Sequence, residues 1–434
     1  MMNSTEYFSK FYNGTKNPTL DTMYFFMEKL NHPEKKLKFI HVAGTNGKGS
    51  VVEMLSSILI DAGYKVGKFM SPMILTHHER FIINKSQISE KKLMELIDII
   101  DPLVNEYNST HHNKVTFFEL VTAIALLYFS NSNCDIVLLE VGMGGLWDCT
   151  NIINPIASII TSIGMDHMNI LGSTIEEIAT QKAGIIKPNS NTIFFEHENK
   201  NVNRIIKETC SKQNNNLISI KENNISNYSY TAKNQNFDYK SSHNNEYKKV
   251  KINLKGKIQT HNAAIVIEMI ELLNAYGYKI FRRSIRKGLD KVIHKARFEI
   301  INKKPLILYE GGHNEQAIRN FQKNIKMYYP NKSINIIFQA LNTKDYKAIL
   351  DILCENNWHI ICTSGINKEN DSHQYVDKEE LYNYIKDKKG HHDKMELKDA
   401  IKSIDGKYDV NIILGSFYIY ADAIKEVKKL NDRT

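Results

Sequence analysis

The 434-residue chain is poor in several things, and each scarcity narrows what it can be. No apolar run approaches the ~20 residues of a membrane-crossing helix, so no membrane role is expected. The amino-terminal MMNSTEYFSKFYNG lacks the basic-then-apolar order of an export signal, which points to a cytoplasmic protein. Cysteines are few: Cys134, Cys149, Cys210, Cys354 and Cys362 are odd in number, scattered and never spaced C-x-x-C, as reduced thiols would be. Cys149 lies in a glycine-rich loop and is read as a bystander. The net charge is +9, yet the 57 basic residues are spread among 48 acidic ones. With no arginine stripe or aromatic RNA-binding signature, a nucleic-acid partner is not expected; a mild positive field would attract anionic substrates. No internal repeat is visible. The histidine pairs 77–78, 111–112 and 391–392 lack the helical spacing of metal ligands and read as solvated loops.

A strict P-loop is missing as well, and what stands in its place is the most informative stretch, FIHVAGTNGKGSVVEML (39–55). An apolar run ends in Gly44; Thr45, Asn46, Gly47, Lys48, Gly49 and Ser50 follow. Only two residues lie between Gly44 and Gly47, where the common pattern has four, and Gly49 intervenes between lysine and serine. The period then changes: Val51, Met54, Leu55, Ile58, Leu59 and Ala62 mark one helix face, with Gly63 placed for a left-handed cap. Glycines between a buried strand and a helix N-terminus suit an anion. This predicts a variant nucleotide loop, against the alternative of a plain glycine-rich turn.

From 38 to about 195, strands alternate with helices, implying a mainly parallel sheet. The strands are Lys38–Val42, Lys65–Met70, Asp135–Val141, Ile156–Ile163 and Thr192–Phe195; helices include Phe117–Phe129 and Thr174–Ala183, the latter opened by a capping box and closed at Gly184. Residues 196–255, rich in Asn and Lys, read as short strands and loops appended to the sheet, open to partial mobility. A helix, His261–Tyr276, follows. After a boundary near Asp290–Ala296 come strands Pro305–Tyr309, Ile334–Phe338, His359–Cys362 and Val410–Leu414. The expected fold class is α/β: a P-loop-type, mainly parallel sheet domain over 1–293 and a smaller Rossmann-like α/β domain over 294–434.

Three further segments place polar residues at strand ends, where α/β sheets gather ligands. DIVLLEVGMGGLWDCTN delivers Glu140, either a Mg2+ ligand on nucleotide phosphates or a structural strand-end acid. SIITSIGMDHMNILGSTIEEIATQKAGIIKP delivers Asp166 and His167. A lone histidine is more often packed or exposed than ligating, and Lys182 late in the next helix has a structural default. LILYEGGHNEQA offers Glu310, His313 and Asn314, suited to a ribose or a domain-interface contact.

Together these segments resemble the folylpolyglutamate synthase/dihydrofolate synthase family of Mur-ligase-like, ATP-dependent amide ligases. The match runs in order through HVAGTNGKGS (41–50), SPM…ER (71–80), TFFELVTAIAL (116–126), EVGMGGLWDCTN (140–151), GMDHMNILGSTIEEIATQKAGIIKP (164–188), GKIQTHNA (256–263), ARFEI (296–300), EGGHN (310–314) and LGSFYIYADA (414–423). The resemblance implies that Gly44 to Ser50 wrap the ATP phosphates, with Lys48 on the β- and γ-groups. It implies one Mg2+ on Ser71 and Glu140, and a second served by His167 and a carbamylated Lys182. Gln259 and Asn262 would lie towards the adenine, Arg297 and Glu310 would reach the nucleotide, and His313 would stand at the domain interface. The implied substrates are ATP, L-glutamate and a reduced folate or dihydropteroate, worked on by a monomer through an acyl phosphate. A cell-wall Mur ligase would carry a UDP-binding domain before the loop, and residues 1–43 are too short for one. A non-catalytic nucleotide binder would have no use for a second metal site. The chain departs from the family pattern at Met73, Leu146, Gln181, Ile258, Glu310 and Glu315, which bears more on the acceptor than on ATP and leaves open a divergent ligase for another acidic small molecule.

Overall fold

Five consecutive buried residues, Phe39–Ala43, present no polar face to water, as in a central strand covered on both sides. The computed structural model, which describes residues 2–11, 19–365 and 374–431, makes this strand β1 of an eight-stranded sheet. Its partners are β2 (Val66–Phe69), β3 (Ile82–Ile83), β4 (Ser86–Gln87), β5 (Ile136–Glu140), β6 (Ala157–Ile160), β7 (Asn191–Phe195) and β8 (Asn216–Ile220). The order is β4-β3-β2-β5-β1-β6-β7-β8. All neighbours are parallel except the short edge strands β3 and β4. The α/β, mainly parallel expectation therefore holds.

The helix Lys48–Asp61 buries Val51, Val52, Met54, Leu55, Ile58 and Leu59. It stops where foreseen: Gly63 has φ +95°, and the bonds from Tyr64 N to Leu59 O (3.0 Å) and Gly63 N to Ile60 O (3.0 Å) form a Schellman ending. Thr116 with Glu119 and Thr174 with Glu177 form capping boxes that start the helices Phe117–Asn131 and Ile175–Ala183. The first of these is buried along most of its length and joins Phe26, Phe69, Leu96 and Leu139 in a large core cluster. Each such side chain contributes roughly 1.5–3 kcal/mol by leaving water.

Residues 196–255 differ from expectation. The stretch contains a 13-residue helix, Lys200–Lys212, and the strand β8 extends the large sheet. Its remaining strands, β9 (Ile225–Tyr230), β10 (Gln235–Lys240) and β11 (Glu246–Ile252), form a separate antiparallel sheet. The histidine pairs are not simply solvated. His77 packs edge-on to Phe8 and Phe117 at 5.0 and 5.4 Å, and burial lowers its pKa to about 4. His78 bonds to Glu90. His111 stacks on Tyr107 at 4.0 Å, and His391 and His392 lie on a strand.

By its internal contacts the chain divides into two compact units: 1–230 with 234–253 and 259–292, and 293–434 with 231–233 and 254–258. The second unit has its own sheet, built from β12 (Glu299–Lys303), β13 (Leu306–Glu310), β14 (Ile334–Phe338), β15 (His359–Cys362), β16 (His391–Lys394) and β17 (Val410–Leu414) in the order β12-β13-β17-β14-β15-β16. It is parallel except for β12. Leu308, Phe321, Phe338, Leu353 and Ile412 belong to its core. Among the described residues, no helix is long and apolar enough to cross a membrane. All five cysteines are free, and burial pushes the Cys134 and Cys354 thiols up to about 11 and Cys362 to about 12.

Candidate active site at the carboxyl end of the first sheet

The order β2-β5-β1-β6 sets the loops that follow these four strands side by side. Ser71, Glu140, the glycine loop and Asp166–His167 come from those four strand ends, which is where open α/β sheets bind ligands.

The glycine loop is laced to its neighbour. Thr45 N donates to Ser162 O (2.7 Å), Asn46 N to Ser162 Oγ (3.0 Å), and Thr161 Oγ1 to Asn46 O (2.7 Å). Thr45 Oγ1 both donates to Gly164 O and accepts from Gly164 N, each at 3.0 Å. Gly44 adopts φ +153°, and a Cβ there would stand 1.9 Å from Thr161 Oγ1, so only glycine lets the two loops meet. Gly47, at φ +90°, is the N-cap of the helix that opens at Lys48. The Lys48 ammonium turns onto the loop, donating to Gly44 O (2.9 Å) and Thr45 O (3.4 Å). Gly49 and Ser50 lie in the first helical turn, with Ser50 buried.

Glu140 ends β5, is buried, and accepts a bond from Ser71 N at 3.1 Å. Lys182 is buried too. Desolvation, with the nearby Lys48 charge, lowers its pKa to about 7, while Asp166 and Asp148 pull the other way. Asp148 is a residue that sequence reasoning passed over. Buried, with its pKa raised by desolvation, it accepts from Met143 N (2.9 Å), Thr150 N (3.0 Å) and Thr150 Oγ1, and so folds the loop after Glu140. Thr150 in turn meets His41 Nε2 at 2.8 Å, and burial lowers the His41 pKa to about 3. The DCTN motif was the available signal. His167 has a left-handed φ of 51°, caps the short helix Met168–Leu171, and sets its Nε2 3.8 Å from Asp166 Oδ1.

Gln259 and Asn262 sit near the start of the helix Ile258–Ala275 and are buried against the glycine loop itself. Gln259 Nε2 is 3.5 Å from Ser50 Oγ, Asn262 Nδ2 donates to Gln259 Oε1 (2.9 Å), and a Cβ on Gly47 would meet Asn262 Oδ1 at 2.7 Å. In the second unit, Arg297, Glu310 and His313 form their own group. Glu310 is buried within β13 and accepts from Phe298 N (3.0 Å), Gly312 N (2.8 Å) and Arg297 Nη1 (3.4 Å). Ala296 and Phe298 have φ of 56° and 46°, so Glu310 pins a left-handed turn. Arg297 lies over the Phe417 ring (4.5 Å), and His313 Nδ1 is 3.0 Å from Gly311 O.

The donors at the first site fit a divalent cation on phosphates: a buried carboxylate beside a serine, with a histidine on the loop at the far side of the glycine loop. An ammonium cannot be a ligand. Lys182, however, is held where a large share of it is neutral amine at neutral pH, the form that takes up carbon dioxide. The same strand ends expose apolar side chains: Leu75 after β2, Trp147 after β5, and Met165, Met168 and Ile170 after β6. Leu146 N bonds to Gln181 O (2.8 Å), so two of the departures from the family pattern adjoin there.

Residues 42–270 match the family model of the Mur ligase middle domain. The chain is 34% identical over 416 residues to the dihydrofolate synthase/folylpolyglutamate synthase of Bacillus subtilis (strain 168), covering 95% of each chain. Among solved structures, it resembles the folylpolyglutamate synthase of Thermotoga maritima with a TM-score of 0.82, at 27% identity and over 98% and 96% of the two chains. The Escherichia coli protein FolC in complex with DHPP and ADP matches with a TM-score of 0.82, at 25% identity and 98% and 96% coverage.

Proposed function

The chain belongs to the Mur-ligase-like folylpolyglutamate synthase/dihydrofolate synthase family, and from that membership we propose that it is an ATP-dependent ligase joining L-glutamate to a folate carboxylate. The 1–293 domain would supply the nucleotide loop and the 294–434 domain the second half of the enzyme. One observation carries the reading beyond nucleotide binding. Lys182 is buried beside the charge of Lys48, with Asp166 opposing, at the strand ends that also present Glu140. A protein that merely held ATP would have no use for such a lysine.

A carboxylate is a poor acyl donor because its oxygen leaves badly. Transfer of the γ-phosphoryl of ATP to that oxygen makes an acyl phosphate; the glutamate amine attacks the acyl carbon, and inorganic phosphate departs. In this reading Gly44, Thr45, Asn46, Gly47, Gly49 and Ser50 wrap the phosphates, and Lys48 swings from its loop carbonyls to the β- and γ-oxygens, where charge accumulates. Gln259 and Asn262 hold the loop from the helix side. Ser71 and Glu140 would hold one Mg2+, and His167 and carbamylated Lys182 a second; these ions would offset phosphate charge. Arg297, Glu310 and His313 would serve the nucleotide. No side-chain nucleophile is needed, so positioning dominates. The exposed Trp147, Met165 and Met168 suit the flat aromatic part of a folate. The reading places the enzyme in the cytoplasm as a monomer acting on small molecules, without nucleic acid.

The deciding experiment is phosphate release from Mg-ATP and glutamate with tetrahydrofolate, dihydropteroate or no acceptor, with product masses recorded. Release that depends on tetrahydrofolate, with products heavier by one glutamyl unit, is the expected result. A dihydrofolate product would add the synthase activity. ATP binding without turnover on either acceptor would overturn the folate reading.

A further inference from the structure

Away from the strand-end site, the turn at residues 241–245 between β10 and β11 packs on the helix Ile258–Ala275. It brings His243 to Glu268 and Glu271, one ligand atom from each lying within 4.8 Å of the others. We propose that these three side chains bind a divalent first-row transition ion, Zn2+ or a near neighbour, which fastens the hairpin to the helix.

The donor set is an imidazole nitrogen with two carboxylates, three protein ligands that leave positions for water. A nitrogen donor favours such an ion over Mg2+ or Ca2+, which prefer all-oxygen sites. His243 Nδ1 and Glu271 Oε2 are 3.2 Å apart; two atoms so placed subtend roughly 100° at an ion about 2.1 Å from each, close to tetrahedral.

The carboxylates are held and oriented by their neighbours. Glu268 accepts from Tyr239 Oη (2.6 Å), Ser242 N (2.7 Å) and Ser242 Oγ (2.6 Å). Glu271 accepts from Tyr247 Oη (2.8 Å) and Asn245 Nδ2 (3.0 Å). An ionised carboxylate has about four acceptor sites, so each retains capacity for an ion. Outer partners of this kind are what fix metal ligands in place.

Charge supplies a separate argument. Glu268 is 1% exposed, and among the described residues no lysine or arginine forms an ion pair with it or with Glu271; the exposed His243 pairs with Glu271, while Arg282, on the same cavity wall, lies over the Tyr247 ring. Buried charges are paired or coordinate metals. A cavity of about 350 Å3, whose lining includes His243, Asn245, Tyr247, Glu271 and Arg282, gives room for the ion's water. The helix so fastened carries Gln259 and Asn262 at its other end, against the phosphate loop.

The test is equilibrium dialysis of the EDTA-treated full chain against ZnCl2, without ATP, for the wild type, His243→Ala and Glu271→Gln, with the thermal midpoint followed alongside. The expected result is one tight Zn2+ equivalent in the wild type that weakens at least about tenfold in either variant, with a Zn2+-dependent rise in midpoint lost in step. Equal stoichiometry and affinity in all three would overturn the site. Should a variant fail to fold, acylation of His243 by diethyl pyrocarbonate in the wild type, read by peptide mass, decides instead. Zn2+ protection supports the site, and unprotected acylation overturns it.

Discussion

Two of this protein's strand ends, those of β1 and β13, use their charge in opposite ways. At the end of β1 the loop is shaped by backbone: glycine geometry, threonine and serine laces, and a lysine resting on two carbonyls. At the end of β13 the loop is shaped by a charge: Glu310 accepts two backbone amides and pairs with Arg297. Polar capacity in the first is available to a ligand, whereas in the second most of it is taken up by the fold. Substitutions in the first should cost function, and those in the second should cost stability.

The largest effect is expected at Lys48. Lys48→Ala removes the ammonium from the phosphates and should reduce ATP turnover by about 10²–10³-fold or more, in the range seen for lost electrostatic stabilisation. Because the lysine's partners are carbonyls of a loop already laced by Thr161 and Ser162, the thermal midpoint should hardly move. Near-normal turnover would remove the loop from the mechanism, and a large fall in midpoint would erase the contrast between the two strand ends.

Lys182 tests the same contrast from inside the first unit. Its pKa is lowered to about 7 from 10.5. Below about pH 7 both folded and unfolded chains hold the proton, and the full penalty of burying the charge applies. Between pH 7 and 10.5 the unfolded chain alone holds it, so wild-type stability climbs with pH. Above that range the penalty is gone. Lys182→Met, compared in EDTA and bicarbonate-free buffer, should therefore be more stable than the wild type at pH 7 by a few kcal/mol, at about 1.4 kcal/mol per pKa unit. The gain should fade towards pH 10. Turnover should be lost, and small carboxylates should partly restore it in Lys182→Ala if the lysine works as a carbamate. A variant less stable at pH 7 would mean that Lys182 is a structural cation.

At the other strand end, Glu310→Ala orphans two amides and Arg297, and should lower the stability of the second unit by about 2–4 kcal/mol. Glu310→Gln keeps an acceptor. Because desolvation outweighs Arg297 and raises the Glu310 pKa, the amide should cost within about 1 kcal/mol. Urea midpoints read from Trp358, in a Trp147→Phe background, separate the two variants. Equal and negligible losses would show that Glu310 does not hold the turn.

What could be read beforehand follows the same division. The glycine loop and β1 were legible as geometry because that geometry is dictated by contiguous residues: a run of apolar side chains and glycines where no Cβ fits. The Glu310 pin was not, since it depends on β12 lying antiparallel to β13 and bringing Phe298 within reach of a carboxylate twelve residues later. The helix Lys200–Lys212 was missed because it buries only Val202, Ile206 and Cys210, a stripe too thin to stand out from its Asn and Lys. Glu268 and Glu271 stand three apart on one helix, but His243 could not be joined to them by spacing, because the hairpin turn and the helix meet only in the folded chain. Sequence pattern reports what neighbours in the chain require, and it is silent on partners that packing supplies.

The smallest expected effect sharpens what the first strand end binds. Trp147 is 48% exposed on the loop after β5, beside Leu146, where the family pattern has an arginine. An aromatic ring facing solvent gives up apolar contact unless something flat covers it. Trp147→Ala should raise the KM for the folate acceptor about three- to tenfold, the equivalent of an aromatic contact worth about 0.5–1.5 kcal/mol. The kcat and the KM for ATP should stay unchanged, because the phosphate loop is built from other side chains. Trp147→Phe should recover most of the loss by keeping a ring face. If ATP and acceptor KM rose together, Trp147 would be supporting the loop after Glu140 rather than touching the acceptor. If neither changed, the apolar rim would be bare surface, and acceptor selection would have to lie elsewhere on the strand ends, with Met73 after β2 the next side chain to replace.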